Sequence, residues 1–269
     1  NLQPSELMKI AVVLALARYF HTLPRVRTAA LSSLVLPAIV IAFPAALVML
    51  QPDLGTALTI ILGGATIVFL AGARLWLFLT AGAAAIVGVP LAVKFLLKEY
   101  QQRRVLIFLD PEADPLGAGY HITQSKIAIG SGGVRGKGFL SGTQSHLQYL
   151  PEQHTDFIFA TMAEEWGLIG GFFVLFCYAI ILSWGAHTAL TAKAVFSRLA
   201  AMGLTVTLFF YVFINLAMVM GFAPVVGIPL PLMSYGGSAM LTALLLMGIL
   251  ISIHHQKDRV RLRDGPGRF

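Results

Sequence analysis

The stretch "YLPEQHTDFIFATMAEEWGLIGGFFVLFCYAIILSW", residues 149–184, decides the fold. It opens polar, with Glu152, Gln153, His154, Thr155 and Asp156 in succession. It then turns apolar and stays so almost to Trp184. A helix needs about 20 mostly apolar residues to cross a hydrocarbon core, and this run is long enough. Asp156 therefore stands at the doorstep of a membrane span, and two readings of it stand. In one, Thr155 or Asp156 caps a helix over 157–184 by accepting hydrogen bonds from its first amides. In the other, Asp156 is a working carboxylate held at the membrane edge.

The rest of the chain has the same character. Of its 269 residues, 57% are hydrophobic and 12% charged, where a soluble domain is about a quarter charged. The mean hydropathy is +0.81. The single cysteine, Cys177, lies in an apolar run, which excludes a disulfide framework and a thiolate metal site. A net charge of +7 is explained more simply by cytoplasmic loops than by nucleic acid.

Seven spans are expected, at about 5–21, 29–50, 54–71, 75–97, 157–184, 197–221 and 235–255. Pro224, Pro229 and Pro231 divide the last two, and "MGFAPVVGIPLPLMSYGGS" reads as a re-entrant or irregular connection. One long polar segment, about 98–155, interrupts the pattern. Within it, "ITQSKIAI" reads as a short amphipathic helix between turn-rich stretches. The expected class is an all-α polytopic membrane protein. It forms a single integral membrane domain over 1–269, with one large loop at 98–155 and a basic tail at 256–269.

Charge sets the orientation. Arg18, Arg25, Arg27, Arg74, Lys193, Arg198 and the tail "KDRVRLRDGPGR" carry eleven basic residues against two acids, Asp258 and Asp264. Basic loops face the cytoplasm, which places the long loop, Glu6, Asp53 and Asp156 on the outer side. Asn1 then lies outside and Phe269 inside.

Several side chains invite chemistry. Glu164 and Glu165 lie two turns into the expected helix, about 80° and 180° around its axis from Asp156. Ionisable groups at that depth line a cavity or form a buried ion pair. Glu6 and Lys9 are three apart and share a helix face. They form either a local salt bridge or an anion site for a phosphate. Ser5 is the candidate cap of that helix, with Pro4 at its entry. Arg103, Arg104, Lys126, Arg135 and Lys137 are solvated loop charge or the contacts of a lipid-linked phosphate. "SGGVRGKG", residues 131–138, is not a nucleotide-binding P-loop. Ser131 stands where the first Gly belongs, and Gly138 where Ser or Thr belongs. His121, His146 and His154 lack metal-ligand spacing.

Three stretches, "QPSELMK", "LDPEADPLGAGYHITQSKIAIGSGGVRGKGF…YLPEQHTDFIFATMAEEWG" and "NLAMVMGFAPVVGIPLPLMSYGGSA", resemble the SEDS family of bacterial membrane proteins. "GKGFLSGTQS" and "LLMGILISIHH" are more similar to its RodA (elongation) branch than to its FtsW (division) branch. Met233 and Ala239 depart from the residues common in relatives, at positions without chemistry. The resemblance implies seven of the family's ten transmembrane helices, the first three being absent. It implies a peptidoglycan glycosyltransferase of the bacterial cytoplasmic (inner) membrane that polymerises lipid II during elongation and cell-shape maintenance. The implied partner is a class B penicillin-binding protein, a transpeptidase. The family's essential aspartate falls on Asp156, the Glu and Lys of its "PSE..K" motif on Glu6 and Lys9, and its loop arginine on Arg104. With Lys137, His154 and Glu164, these last three form the candidate substrate-binding set. Asp156 would take a proton from the attacking hydroxyl. Lys9, Arg104 or a divalent cation (Mg or Mn) would offset charge on the leaving undecaprenyl pyrophosphate. A lipid II flippase and a non-catalytic scaffold are the rival readings. The first should show paired broken helices in two related halves, and no such repeat is visible. The second needs no charge inside the membrane.

Overall fold

Apolar periodicity folds this chain into helices, and among the described residues no strand occurs. The computed structural model describes residues 3–24, 28, 30–51, 53–95, 102, 118–146 and 154–264. The helices are α1 (Pro4–Thr22), α2 (Leu31–Leu50), α3 (Leu54–Leu70), α4 (Leu75–Phe95), α5 (Ala118–Gly132), α6 (Thr143–His146), α7 (Ile158–Thr191), α8 (Val195–Val219) and α9 (Gly237–Asp264). A helix lies over each of the seven expected spans. Four stretches are long and apolar enough to cross a membrane by length and composition: Leu31–Leu50, Ile158–Thr191, Val195–Val219 and Gly237–Gln256. Leu54–Leu70 and Leu75–Gly88 are shorter apolar helices. The chain is an all-helical, multi-pass membrane protein.

Local chemistry explains the ends. Pro4 occupies the first turn of α1, where its missing N–H costs nothing. Ser5 is not the cap: Gln3 holds that position, and Ser5 lies buried inside the helix. Asp53 caps α3, its carboxylate accepting from the Thr56 amide at 2.9 Å. The "ITQSKIAI" stretch is helical as expected, inside α5. Residues 220–236 carry no helix: Pro224, Pro229 and Pro231 lack the N–H a helical ladder needs, and Gly221 and Gly227 take left-handed φ values of 77° and 68°.

The described chain divides into two compact units. The first comprises Asn1–Arg74, Ala179–Phe210 and Gly237–Phe269. Its core is a helical stripe on α1 (Val13, Leu16, Ala17, Phe20) packed with Ile60 and Ile67 of α3, Leu204 and Leu208 of α8, and Leu250 of α9. The second comprises Leu75–Tyr178 and Tyr211–Gly236. Its core gathers Phe157, Phe159 and Tyr178 of the 149–184 stretch with Met218 and Val219 of α8 and Leu230 of the irregular connection.

Candidate active site

In the second unit, the expected single helix over 157–184 is broken. Gly167 has φ 67° and ψ −162°, so residues 158–166 form one helical section and the chain resumes beyond it. An unbroken α-helix would bond the amides of Leu168 and Ile169 to the carbonyls of Glu164 and Glu165. Instead Leu168 N–H donates to the Gly133 carbonyl at 2.9 Å, and Ile169 N–H to the Val134 carbonyl at 3.2 Å. The vacated carbonyls are filled from the same loop: Lys137 N–H donates to Glu164 at 3.0 Å and Gly138 N–H to Glu165 at 3.0 Å. Two ladder bonds are exchanged for four bonds to residues 133–138, so the amides of Leu168 and Ile169 and the carbonyls of Glu164 and Glu165 all keep partners.

This gives "SGGVRGKG" its physical reason. A side chain at Gly136 would strike the Glu165 carbonyl, and one at Gly132 the Ala163 carbonyl. The glycines let one backbone lie against another, as a P-loop lets backbone lie against phosphate, but the occupant is the broken helix. The same clasp delivers Lys137 to Glu164. The ammonium lies 2.7 Å from Glu164 Oε1, which also accepts from Thr143 Oγ1 and the Gln144 amide, each at 3.1 Å. Glu164 is fully buried. An open groove of about 640 Å³ runs beside the clasp, with Arg135 and Glu165 among the aromatic rings of Phe139, Trp166 and Phe173.

Asp156 sits at the N-terminal edge of the first helical section. The Ala160 and Thr161 amides both donate to the Phe157 carbonyl. Phe157, rather than Thr155 or Asp156, therefore occupies the cap position, and the angles counted from Asp156 to Glu164 and Glu165 along one helix do not apply. The carbonyls of His154, Thr155 and Asp156 precede the helical ladder, and each is taken by a different donor. Tyr235 N–H reaches His154 at 2.8 Å, Ser234 Oγ reaches Thr155 at 2.6 Å and Asn215 Nδ2 reaches Asp156 at 2.9 Å. Ser234 Oγ also accepts from the Leu230 amide at 2.7 Å, and Tyr178 donates to the Pro231 carbonyl at 2.5 Å. The irregular connection is thus bolted to the turn that carries Asp156. The turn remains accessible: Asp156 is half-buried and His154 exposed. Asp156 Oδ2 lies 3.6 Å from the point where a side chain on Gly227 would begin.

In the first unit, Lys9 Nζ and Glu6 Oε1 are 2.6 Å apart and both side chains are buried. Of the expected site residues, the structure pairs Glu6 with Lys9 and Lys137 with Glu164. It places His154 on the Asp156 turn. Arg104 lies outside the described residues, as does Arg103. Among the described residues no group of three or more His, Cys, Asp or Glu gathers. Asn215 and Ser234 escaped the sequence reading. The signal for Asn215 was a lone amide inside an apolar span, a residue type that is costly there unless it bonds.

The FtsW/RodA/SpoVE family model, described as a cell cycle protein, matches residues 1–259. The chain is 49% identical over 256 residues to the peptidoglycan glycosyltransferase MrdB of Escherichia coli K12, covering 95% of this chain and 69% of that relative. A structure of a peptidoglycan synthase complex, described as coordinating polymerization and crosslinking, contains a similar chain. The TM-score is 0.79 at 34% identity, over 95% of this chain and 70% of that one. The crystal structure of the rod shape determining protein RodA of Thermus thermophilus aligns with a TM-score of 0.64 at 29% identity. That match covers 95% of this chain and 66% of that one.

Proposed function

The chain belongs to the FtsW/RodA/SpoVE (SEDS) family, and we propose that it is a peptidoglycan glycosyltransferase that polymerises lipid II in the bacterial cytoplasmic membrane during cell elongation. The observation that carries this reading is the Asp156 turn. Its backbone is clamped at three successive carbonyls while its carboxylate is half-buried beside Gly227. A fixed, accessible carboxylate at the edge of an apolar segment suits proton abstraction from a lipid-anchored substrate.

The reaction joins two such substrates. The 4-hydroxyl of an incoming lipid II attacks the anomeric carbon of the growing chain from the face opposite its undecaprenyl pyrophosphate. The new C–O bond forms as the bond to pyrophosphate breaks, with inversion. Asp156 takes the hydroxyl proton, and the pyrophosphate leaves with the bonding electrons. Lys9 and Arg104 are the candidate cations for that leaving charge, an assignment that rests on the family motifs alone. A divalent ion, Mg or Mn, is the other candidate. If bound, it would be held chiefly by the substrate phosphates, with few protein ligands, and would offset the same charge. The long loop and Asp156 face the periplasm or cell exterior, because the basic residues crowd the opposite connections. The partner is a class B penicillin-binding protein that crosslinks the product.

The test is lipid II polymerisation by the full-length protein copurified with its transpeptidase. Asp156→Asn keeps the shape and removes the basicity. A loss on the order of a hundred- to ten-thousand-fold is expected. Near-normal polymer yield would remove Asp156 from the chemistry.

A further inference from the structure

Asn215 lies on α8 among apolar neighbours and is fully buried. Its amide nitrogen donates to two carbonyls from separate segments, Asp156 at 2.9 Å and Ile228 at 2.7 Å. Its Oδ1 accepts no hydrogen bond among the described residues. A buried acceptor left unpaired is destabilising, so the residue is not optimised for stability. What it does achieve is a bridge. Ile228 follows Gly227, and Gly227 is the backbone beside the Asp156 carboxylate. Gly227 has φ +68°, a left-handed conformation that a side chain would strain, and its bare Cα leaves open the space at Oδ2.

We propose that Asn215 is a positioning residue for Asp156. Its two N–H bonds hold the Asp156 backbone and the 227–228 backbone in one frame, and so fix where the carboxylate stands relative to the hydroxyl it deprotonates. Ser234 and Tyr235 restrain the two preceding carbonyls, and Asn215 joins the carbonyl of Asp156 itself to that of Ile228, the residue after Gly227. This rests on Asp156 being the base. A base displaced by about 1 Å loses on the order of a hundredfold in rate without losing substrate affinity.

The experiment is steady-state polymerisation of purified lipid II by the full-length protein copurified with its transpeptidase. Asn215→Leu and Asn215→Asp are near-isosteric: Leu deletes both donors, and Asp, protonated in so buried a place, keeps at most one and cannot bridge the two carbonyls. Each should lower kcat by about a hundredfold with KM for lipid II unchanged, and Asn215→Gln, which keeps the NH2 group, should recover part of the loss. In an Asp156→Glu background, where the carboxylate is already displaced, Asn215→Leu should cost far less than it does alone, because both changes act on one distance. Thermal unfolding and copurification report whether the variants fold. If Leu and Asp do not fold, Asn215→Ser decides on the same readouts: too short to span both carbonyls, it should lower kcat alone. An unchanged kcat, a loss carried by KM, or an equal loss in the Asp156→Glu background overturns the proposal. Normal polymerisation by Asp156→Asn sinks the base reading and this inference with it. An inactive Asp156→Asn beside a normal Asn215→Leu sinks this inference alone.

Discussion

Lys137 is tied to Glu164 twice: its amide donates to the Glu164 carbonyl at 3.0 Å, and its ammonium to the Glu164 carboxylate at 2.7 Å. The backbone bond exists because Gly167 opens the ladder, and the side-chain bond exists because the backbone bond brings Lys137 there. A carboxylate buried in an apolar helix needs such a partner, since an uncompensated charge in that setting is expensive. The two cations of the "GGVRGKG" loop therefore differ in kind. Lys137 is committed to a buried pair, whereas Arg135 is exposed at the mouth of a groove.

Lys137→Met should destabilise the protein by on the order of 1–3 kcal/mol, the cost of leaving a buried polar group short of a partner. The cost is not larger because Thr143 and Gln144 still donate to Glu164. Adding Glu164→Leu should return most of the loss, because an apolar pair of similar volume often replaces a buried ion pair without penalty. Thermal unfolding in detergent measures both. Lost polymerisation with an unchanged melting temperature would instead assign Lys137 and Glu164 to substrate.

The glycines of the clasp should not be equivalent. Gly136 has φ +78°, and a methyl there meets the Glu165 carbonyl and Trp166 backbone. Gly136→Ala must break the clasp, at about 1–3 kcal/mol for each polar group left unpaired. Gly133 has φ +56° with nothing near its missing Cβ. Gly133→Ala should cost only the left-handed penalty of about 1–2 kcal/mol. Equal melting temperatures for the two variants would mean that residues 133–138 do not grip the helix in solution.

The helices were legible because composition and periodicity act over twenty residues at a time: a helix stands over each expected span, and among the described residues four stretches are long and apolar enough to cross a membrane. The break at Gly167 was not. One glycine in "EEWGLIGGFF" looks like the others, and only the loop that fills the vacated bonds makes its conformation favourable. The glycine-rich loop was legible as unusual but not as a clasp, since its partner is main chain and main chain carries no sequence signal. The Glu6–Lys9 pair was readable from helical spacing. Lys137–Glu164 was not, being 27 residues apart. Asp156 stood out by its position, whereas the donors that hold its turn come from 59 and 79 residues away. The helix start was legible only to within a residue or two: the ladder opens at the Phe157 carbonyl, one place past Asp156, and long-range donors hold the carbonyls before it.

Orientation is testable with one thiol. Cys177→Ala removes the native cysteine, and Ser141→Cys adds one at an exposed position just after the clasp. Because basic residues concentrate in the connections on the other side, a membrane-impermeant maleimide should label it in intact spheroplasts. Labelling only after lysis would reverse the topology and remove Asp156 from the outer face.

The last prediction separates structure from chemistry at Lys9. The Lys9–Glu6 pair is nearly out of solvent, with side chains 2% and 6% exposed. Lys9→Ala strips the Glu6 carboxylate of its ammonium, so lost activity in that variant alone says nothing about phosphate. Breaking one partner of a buried pair costs about 3–5 kcal/mol, whereas replacing both with apolar residues is often neutral. The informative variant is therefore the double, Lys9→Met with Glu6→Leu. It should unfold near the wild-type temperature. If Lys9 offsets charge on the leaving pyrophosphate, the double stays inactive despite its restored stability, and Lys9→Arg keeps partial activity because the charge is retained on a larger, planar head. If the pair only holds α1 in place, the double polymerises lipid II at close to the wild-type rate, and the cation for the pyrophosphate must be sought elsewhere.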